Sequence, residues 1–293
     1  MQATGTPRGS VAPRVTAVDA HAHVLRRDAP LVAERHSKPL RDATVEQLIG
    51  VLDAHGVSHA LLTAPSFYGP DNSLLLEALD AYPTRLRGTI IVQPDVEVRA
   101  LERLARRGVV GIRLNWVRRD TLPDLAHPAW RRLLAEVRTL GWHVEVYLEG
   151  AKLASVLSPL RAAGVRVVVD HFGAPDPSRG VACTGFVALQ EAVRAGDTWV
   201  KLSAPYRLGG ADPQRYVDAL LDAGGAGQLV WASDWPFVGF EDRFPYRQCI
   251  DWLEQWIPDD ATRTRIRVDT PRQLFGFDAS PRARDARDAN EEK

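Results

Sequence analysis

Two histidines, His21 and His23, are the side chains of this sequence best suited to chemistry. They lie in the segment Val18-Asp19-Ala20-His21-Ala22-His23, at the end of the first strand-like run. Because residues i and i+2 of an extended chain point the same way, Asp19, His21 and His23 are expected on one face. Two adjacent imidazoles can ligate a metal, polarise a carbonyl or hold an anion. A surface His-x-His in a loop is the structural alternative.

The composition is typical of a soluble enzyme of one large domain or two small ones. The chain has 293 residues, 45% of them hydrophobic, with 37 basic and 37 acidic side chains. This balance gives no field that would attract nucleic acid or an anionic membrane. Cys183 and Cys249 are too few for a disulfide framework. The absence of a long apolar run or a signal-peptide core predicts a cytoplasmic protein. Since 33 of the basic residues are arginines and four are lysines, a single arginine is weak evidence for function.

Strand-like and helix-like segments alternate along the chain. Most of the predicted strands are short runs of Val, Ile and Leu that suit burial on both faces. They are 15–21, 57–64, 86–92, 109–115, 143–148, 165–171, 198–203 and 228–234. One predicted helix begins at Thr44 with a capping box to Gln47. The other predicted helices are 97–107, 128–140, 152–163, 185–195, 213–223 and 246–256. Most of these helices end at a glycine, as a left-handed C-terminal residue requires.

Eight strand–helix units in a chain of this length predict a single (β/α)8 TIM barrel of the α/β class over residues 15–278. A doubly wound open sheet is the alternative, but no glycine-rich phosphate or dinucleotide loop follows any strand. Residues 1–14 are predicted to be a disordered leader. Residues 279–293 are charged, lack apolar periodicity and are predicted to be a disordered tail.

Polar and ionisable side chains collect where the predicted strands end, which is where a TIM barrel places its active site. They are His21, His23, Ser66, Arg113, Asn115, Tyr147, Glu149, Asp170, His171, Ser203, Arg207 and Asp234. Each has a structural explanation when taken alone. His171 could be a core histidine bonded to a carbonyl, Asp234 a turn cap, and Arg113 half of an ion pair. Their joint position at one end of one barrel favours an enzyme.

Together these segments resemble the amidohydrolase superfamily, which is marked by a His-x-His after strand 1, a later strand-end histidine and an aspartate on strand 8. The most specific pieces are VDAHAHV, GVVGIRLNWVRR, LGWHVEVYLE, VVVDHFGAPD and VWASDWP, and the resemblance extends from Val15 to Phe277. Within the superfamily the chain is most similar to the branch of 2-pyrone-4,6-dicarboxylate lactonases.

The resemblance bears on whether a metal is bound. Many members of the superfamily hold zinc with additional histidines and a carboxylated lysine or a glutamate. Here the strand after His171 has no histidine, and strand 5 offers Glu145 and Glu149 but no lysine, which argues against a two-metal site. One zinc on a set of three histidines and one carboxylate stays open, namely His21, His23, His171 and Asp234. The lactonase branch implies that no metal cofactor is needed.

The resemblance implies that Arg113, Arg119 and Arg207 bind the carboxylates and carbonyl region of the substrate. For the reaction we predict that Asp234 takes a proton from water while His21, His23 and His171 polarise the lactone carbonyl. Tyr147 and Ser66 are predicted to orient the substrate. Guanidinium groups suit planar carboxylates because they donate two parallel hydrogen bonds. The implied partner is a small anionic lactone, and the implied function is its hydrolysis during the degradation of aromatic compounds.

Departures from the lactonase pattern leave the substrate open. Phe237 stands where the lactonases carry a histidine, and His36-Ser37-Lys38 replaces a segment that supplies a tyrosine. A muconolactone with a carboxylate or sulfonate would suit the same arginines. A zinc-dependent decarboxylase or amide or lactone hydrolase is the alternative function. A non-catalytic barrel that binds carboxylates is a third. The oligomeric state does not follow from the sequence.

Overall fold

A computed structural model describes residues 13–278 and contains one eight-stranded parallel sheet with the strands in chain order. The strands are β1 (Val18–Ala22), β2 (His59–Thr63), β3 (Leu86–Ile90), β4 (Val109–Asn115), β5 (His143–Tyr147), β6 (Arg166–Val169), β7 (Thr198–Leu202) and β8 (Leu229–Trp231). The predicted (β/α)8 TIM barrel is confirmed. The predicted leader and tail lie outside the described residues, except for Pro13 and Arg14, which are exposed coil.

Helices follow every strand and cover the outside of the barrel. They are α1 (Val45–Ala54), α2 (Ser73–Ala81), α3 (Val98–Arg106), α4 (Pro128–Thr139), α5 (Gly150–Ala162), α6 (Thr184–Arg194), α7 (Pro213–Gly224), α8 (Tyr246–Trp256), α9 (Asp260–Thr264) and α10 (Thr270–Leu274). The capping box of α1 is confirmed, because Thr44 and Gln47 exchange side-chain to backbone hydrogen bonds. The sequence pattern does not predict α2, since its short leucine run shows no clear helical or strand period.

Two apolar layers hold the barrel together. Outward-facing strand residues pack against the helices, and a second cluster fills the lower half of the barrel interior. Phe275 and Phe277, which follow α10, pack in that second cluster with Val18 and Val110 at the beginnings of β1 and β4. Among the described residues, apolar side chains therefore fill the amino-terminal half of the barrel interior, and a site is expected at the carboxyl end.

The barrel closes between β1 and β8 through residues predicted to be functional. The amide of Asp234 donates to the carbonyl oxygen of His21 (3.0 Å), and the amide of His23 donates to the carbonyl oxygen of Trp235 (2.9 Å). These backbone hydrogen bonds continue the sheet beyond the last residue of β8. Closure of the sheet thus brings Asp234 next to the two histidines.

The expectation that Asp19 shares a face with His21 and His23 is wrong. The register of β1 against β2 shifts between Asp19 and Ala22, so the simple alternation of side chains is interrupted. The Asp19 carboxylate accepts hydrogen bonds from the hydroxyls of Ser233 (2.5 Å) and Tyr246 (2.9 Å). It is therefore a structural anchor for the beginning of α8.

Among residues 13–278 no helix has the length and apolar character needed to cross a membrane.

The close contact between α5 and α6 gives a test of the fold. A methyl group at Gly185 would lie 1.6 Å from the carbonyl oxygen of Gly150, whereas one at Gly50 in α1 would meet nothing within 4 Å. Gly185→Ala is expected to lower the free energy of unfolding by about 3 kcal/mol, because the added methyl group would clash with backbone atoms and the two helices would have to move apart. Gly50→Ala is expected to raise it by about 0.5–1 kcal/mol through helix propensity. Denaturant unfolding measures both, and equal stability of the two variants would contradict the α5–α6 packing.

Candidate active site

A cavity of about 270 Å³ opens at the carboxyl end of the barrel. Seven of the nine predicted site residues line it, namely His23, Ser66, Arg113, Tyr147, His171, Arg207 and Asp234. His21 lies directly beneath the cavity and is fully buried. Arg119 is not among the lining residues, and the neighbouring Arg118 is. The structure therefore brings eight of the nine together and places Arg118 where the sequence suggests Arg119.

Three imidazole nitrogens surround one carboxylate oxygen at the floor of the cavity. Oδ1 of Asp234 lies 3.6 Å from Nε2 of His21 and 3.7 Å from Nε2 of both His23 and His171. The Nε2 atoms of His21 and His23 are 3.2 Å apart. An ionised carboxylate beside three ring nitrogens is an arrangement that can activate water and polarise a carbonyl.

The far nitrogen of each ring is held by a neighbour. Nδ1 of His23 donates to the carbonyl oxygen of Thr63 at 2.6 Å. Nδ1 of His171 lies 2.8 Å from the hydroxyl of Ser203. These contacts fix both ring planes and keep each Nε2 directed into the cluster.

Backbone conformation also aims two of these side chains. His171 and Asp234 have φ values of +49° and +66°, in the left-handed region that non-glycine residues seldom adopt. Such conformations concentrate at functional sites because the surrounding structure must hold them. Here the amide of Asp234 is held by the seam of the barrel, and both left-handed residues, which lie two and three positions beyond β6 and β8, turn their side chains into the site.

Arg207 and Tyr206 hold the second oxygen of the Asp234 carboxylate. Oδ2 accepts hydrogen bonds from Nε and Nη2 of Arg207 (3.0 and 2.9 Å) and from the hydroxyl of Tyr206 (2.8 Å). Burial would raise the pKa of Asp234, but Arg207 and His171 outweigh burial and hold this pKa well below its usual 3.8. The carboxylate is thus ionised at neutral pH, with Oδ1 left for another partner.

Burial keeps two of the three rings neutral. It lowers the pKa of His171 from 6.5 to about 4, although Asp234 and Asp170 oppose the shift. Burial and the charge of Lys201 lower the pKa of His21 well below 6.5. A neutral imidazole donates one hydrogen bond and accepts one, so its tautomer decides what Nε2 can do.

Four buried charged groups form a cluster directly below the histidines. Nζ of Lys201 lies 2.6 Å from Glu145 and 3.1 Å from Asp170, while Arg113 lies 3.1 Å from Glu145 and 2.8 Å from Asp170. Two cations and two anions balance one another in a space from which water is excluded. Burial and the charge of Asp170 raise the pKa of Glu145 above its usual 4.5, while Lys201 and Arg113 favour its charged form. Against the effect of burial, Lys201 and His21 hold the pKa of Asp170 well below 3.8.

Arg113 forms the ion pairs that the sequence analysis gave as the alternative to a role in binding. Its guanidinium also donates to the carbonyl oxygen of Ala64 (2.9 Å), and its side chain is 3% exposed. Arg113 nevertheless lines the cavity, so it places positive potential beneath any bound anion.

The outer part of the cavity is polar and positively charged. Arg118 has a φ of +61°, is exposed, and forms no ion pair within the part of the chain that the structure describes. Nε2 of His36 lies 3.3 Å from the hydroxyl of Ser66. Burial and the neighbouring Arg118 lower the pKa of His36. An anion bound here would be stabilised by Arg118 and by the hydroxyl and imidazole groups beside it.

Sequence reasoning missed Arg118, His36, Tyr206 and Lys201. A usable signal existed only for Lys201, because a lysine within the apolar run Val200-Lys201-Leu202 is conspicuous in a chain with four lysines. The other three depend on loop conformation. Phe237 is buried and does not line the cavity, although its amide donates to the carbonyl oxygen of Asp234 at 2.7 Å.

The donor-atom distances given above are close to those around a zinc ion, and the donor atoms of His21, His171 and Asp234 all lie within 4.8 Å of one another. The ligands of a tetrahedral zinc at bonds of 2.0–2.1 Å are separated by about 3.3 Å. The distances among the four donor atoms of His21, His23, His171 and Asp234 that are given above range from 3.2 to 3.7 Å. Spacing therefore permits one zinc, and the location of the proton on each ring decides whether the nitrogens can ligate it.

Comparison with known proteins gives a consistent result. Residues 18–277 match the model of a family described as amidohydrolase. The 2-pyrone-4,6-dicarboxylate hydrolase of Comamonas testosteroni is 28% identical over 287 residues, which cover 88% of this chain and 90% of that protein. The 4-sulfomuconolactone hydrolase of Hydrogenophaga intermedia is 27% identical, with 88% of each chain covered.

A solved structure agrees over nearly the whole chain. The probable 2-pyrone-4,6-dicarboxylic acid hydrolase of Acinetobacter baumannii, with citric acid bound, superposes with a TM-score of 0.83 at 32% identity. The match covers 90% of this chain and 100% of that one.

The neutral state of His171 can be tested by its titration. Its ring resonance is expected to stay constant from about pH 8 to pH 5 and to titrate with a midpoint of about 4, because burial disfavours the charged form. Since the same ring titrates at about 6.5 when unfolded, its contribution to stability is complete above pH 6.5 and is lost as the pH falls through 4. Histidine NMR measures the midpoint, His171→Asn assigns the resonance, and a midpoint near 6.5 would contradict the burial argument.

Proposed function

The chain belongs to the amidohydrolase family, and on that premise we propose that it hydrolyses the ring of an anionic lactone during the degradation of aromatic compounds. The substrate is 2-pyrone-4,6-dicarboxylate or a close relative. The observation that carries the proposal is the floor of the cavity, where the ionised Asp234 faces three imidazole nitrogens beneath a cationic wall. The activities named for the relatives from Comamonas testosteroni and Hydrogenophaga intermedia support it.

The charges of the cavity select an anionic substrate. Arg207 and Arg118 line the inner and outer parts of the wall, and Arg113 lies beneath. A dicarboxylate leaves water only if charged donors replace its hydration, which guanidinium groups do with matching planar geometry. The citric acid in the Acinetobacter baumannii structure is also a polycarboxylic acid, which supports the same substrate class.

Asp234 is the base in the proposed reaction. A water molecule at Oδ1 loses a proton to this carboxylate and its oxygen attacks the lactone carbonyl. An Nε2–H group of the histidine cluster donates to the carbonyl oxygen and stabilises the negative charge that develops on it. The ring C–O bond then breaks, the carbonyl re-forms as a carboxylic acid that releases its proton to solvent, and the departing enol oxygen takes the proton from Asp234. The product is an open-chain oxo acid or its enol.

Other residues orient the reactants. Tyr147 packs edge-on against His171 with the ring centroids 5.1 Å apart, and it lines the cavity beside the place of attack. Ser66 offers a hydroxyl to the outer part of the substrate. Arg207 orients Asp234 by holding Oδ2, so that Oδ1 is left for water.

We propose that this reaction needs no metal. If one zinc were bound, His21, His23, His171 and Asp234 would hold it, and it would polarise the carbonyl in place of the imidazoles. A zinc-dependent decarboxylase or amide hydrolase is the second candidate function, and the donor spacing is the observation that favours it. A barrel that binds carboxylates without turning them over is the third.

The proposal is tested with chelator-treated protein whose metal content has been measured. Loss of pyrone absorbance is expected on addition of 2-pyrone-4,6-dicarboxylate without added metal. Asp234→Asn is expected to lower kcat by about 10³-fold, within the usual range for loss of a general base, with little change in KM. Asp80→Asn removes a matched carboxylate that is paired with Arg107 on the outside of the barrel, and full activity is expected for it.

The outcomes separate the candidates. Turnover only after zinc is restored would favour the zinc hydrolase. Binding of the dicarboxylate without turnover, with or without zinc, would favour the non-catalytic barrel. Near wild-type kcat in Asp234→Asn would reject this carboxylate as the base.

A second prediction concerns the two adjacent arginines. Arg118→Gln is expected to raise KM by about 10- to 100-fold with kcat nearly unchanged, because one charge-assisted hydrogen bond to the substrate is lost. Arg119→Gln is the matched control, since Arg119 does not line the cavity. Steady-state kinetics of the two variants shows which arginine binds the substrate. A rise in KM confined to Arg119→Gln would assign that role to Arg119, as the sequence suggests.

A further inference from the structure

The ammonium group of Lys201 lies directly below the histidine cluster, and no step described above uses it. Lys201 is on β7, and its side chain is 0% exposed. Its Nζ lies 2.6 Å from Oε2 of Glu145, 3.1 Å from Oδ1 of Asp170 and 3.0 Å from Nδ1 of His21. The buried cation therefore contacts one of the three rings as well as the two carboxylates.

The three contacts match the hydrogen count of an ammonium group. A charged lysine has three N–H donors and no acceptor. Glu145, Asp170 and His21 each supply one acceptor at hydrogen-bond distance. For the contact with His21 to be a hydrogen bond, Nδ1 must offer its lone pair. A neutral ring with a bare Nδ1 carries its proton on Nε2, the nitrogen that faces the cavity.

Asp170 could favour the opposite tautomer, because its Oδ1 lies 3.2 Å from Nδ1 of His21. That oxygen is already 3.1 Å from Lys201, and Oδ2 accepts from Arg113 at 2.8 Å. With a proton on Nδ1, an N–H of His21 would point toward an ammonium group 3.0 Å away. The two positive hydrogens would repel each other in a site that excludes water, so the proton is better placed on Nε2.

We propose that Lys201 is a positioning residue that fixes His21 as an Nε2–H donor and thereby makes the cluster accept a carbonyl oxygen instead of a divalent cation. The inference rests on the proposed function, since it explains how the ring of His21 polarises a lactone carbonyl without metal. A protonated Nε2 has no lone pair to offer a metal, although the spacing of the four donor atoms permits one.

The proton on Nε2 has partners in the free and the bound protein. In the free protein it is directed to Nε2 of His23 at 3.2 Å, which is a bare nitrogen in the neutral ring because Nδ1 donates to Thr63. When substrate enters, the lactone carbonyl oxygen takes this hydrogen bond. The cluster then presents a donor where negative charge develops.

The residue type at position 201 supports the assignment. This chain uses arginine for nearly all of its cations, with lysine at four positions only. A planar guanidinium directs its donors in one plane, whereas a compact ammonium directs three donors to acceptors arranged around it. The three acceptors of Lys201 come from three different strands or strand ends, which suits the ammonium group.

The first test uses wild-type protein labelled with ¹⁵N in its histidines. The ring nitrogens of His21 are expected to show a bare Nδ1 and a protonated Nε2, with His21→Gln used to assign the signals. A protonated Nδ1 with a bare Nε2 would overturn the proposal. This measurement needs no variant at Lys201, so it holds even if removal of a buried charge prevents folding.

The second test uses the double variant Lys201→Met/Glu145→Gln, which removes one buried cation and one buried anion together and leaves Arg113 paired with Asp170. Nδ1 of His21 is then free to donate to Asp170, which leaves Nε2 bare. The affinity for Zn²⁺, measured by calorimetry with a zinc salt, is expected to rise at least 100-fold over wild type. Without metal, kcat is expected to fall about 100-fold while KM changes less than threefold.

Arg107→Met/Asp80→Asn, which removes an exposed cation–anion pair on the outside of the barrel, is the matched control and is expected to behave as wild type. Unchanged zinc affinity in a folded double variant would overturn the proposal. Failure of the proposed function can be told apart from failure of this inference. If the wild-type protein hydrolyses no lactone, but Nε2 of His21 is protonated and the double variant binds zinc more tightly, the inference stands. Metal-free lactone hydrolysis with the opposite tautomer would reject this inference alone.

Discussion

The pairing of four buried charges in the centre of the barrel is the constraint on which the site depends. Lys201, Arg113, Glu145 and Asp170 are 0–5% exposed, and each would be costly to bury alone. Removal of one member of such a set typically destabilises a protein by about 3–5 kcal/mol, because a charge is left uncompensated. Since this cluster occupies both inner carboxylates, Asp234 is the carboxylate of the floor that remains available to a ligand.

The same constraint explains how the floor is layered. The charged cluster holds the ring of His21 from below, and the seam of the barrel holds the backbone of His21 and His23 from the side. Asp234 and His21 are joined by a backbone hydrogen bond that also closes the sheet, so a shift of one strand would move the Asp234 carboxylate and the His21 imidazole together. Rigid elements of this kind preserve relative geometry better than loops do.

The parts of the structure that follow from local pattern could be predicted, and the parts that depend on backbone irregularity could not. The eight strands, the capping box at Thr44 and the convergence of His21, His171 and Asp234 all follow from periodicity and from the rule that strand ends meet. The orientation of Asp19 depends on a shift of register in β1. The choice between Arg118 and Arg119 depends on a left-handed residue, since one such φ value exchanges which of two neighbours faces the cavity.

Chemistry and substrate choice are therefore assigned to different parts of the molecule. The floor residues lie on or directly after strands and are held by buried ion pairs and sheet hydrogen bonds. Arg118, His36 and Ser66 lie on loops or a short turn at the rim, where a change of side chain disturbs no buried partner. A new anionic lactone can be accommodated by changes at the rim while Asp234 keeps its imidazole neighbours. On this argument the floor specifies hydrolysis, and the rim determines which anion is hydrolysed.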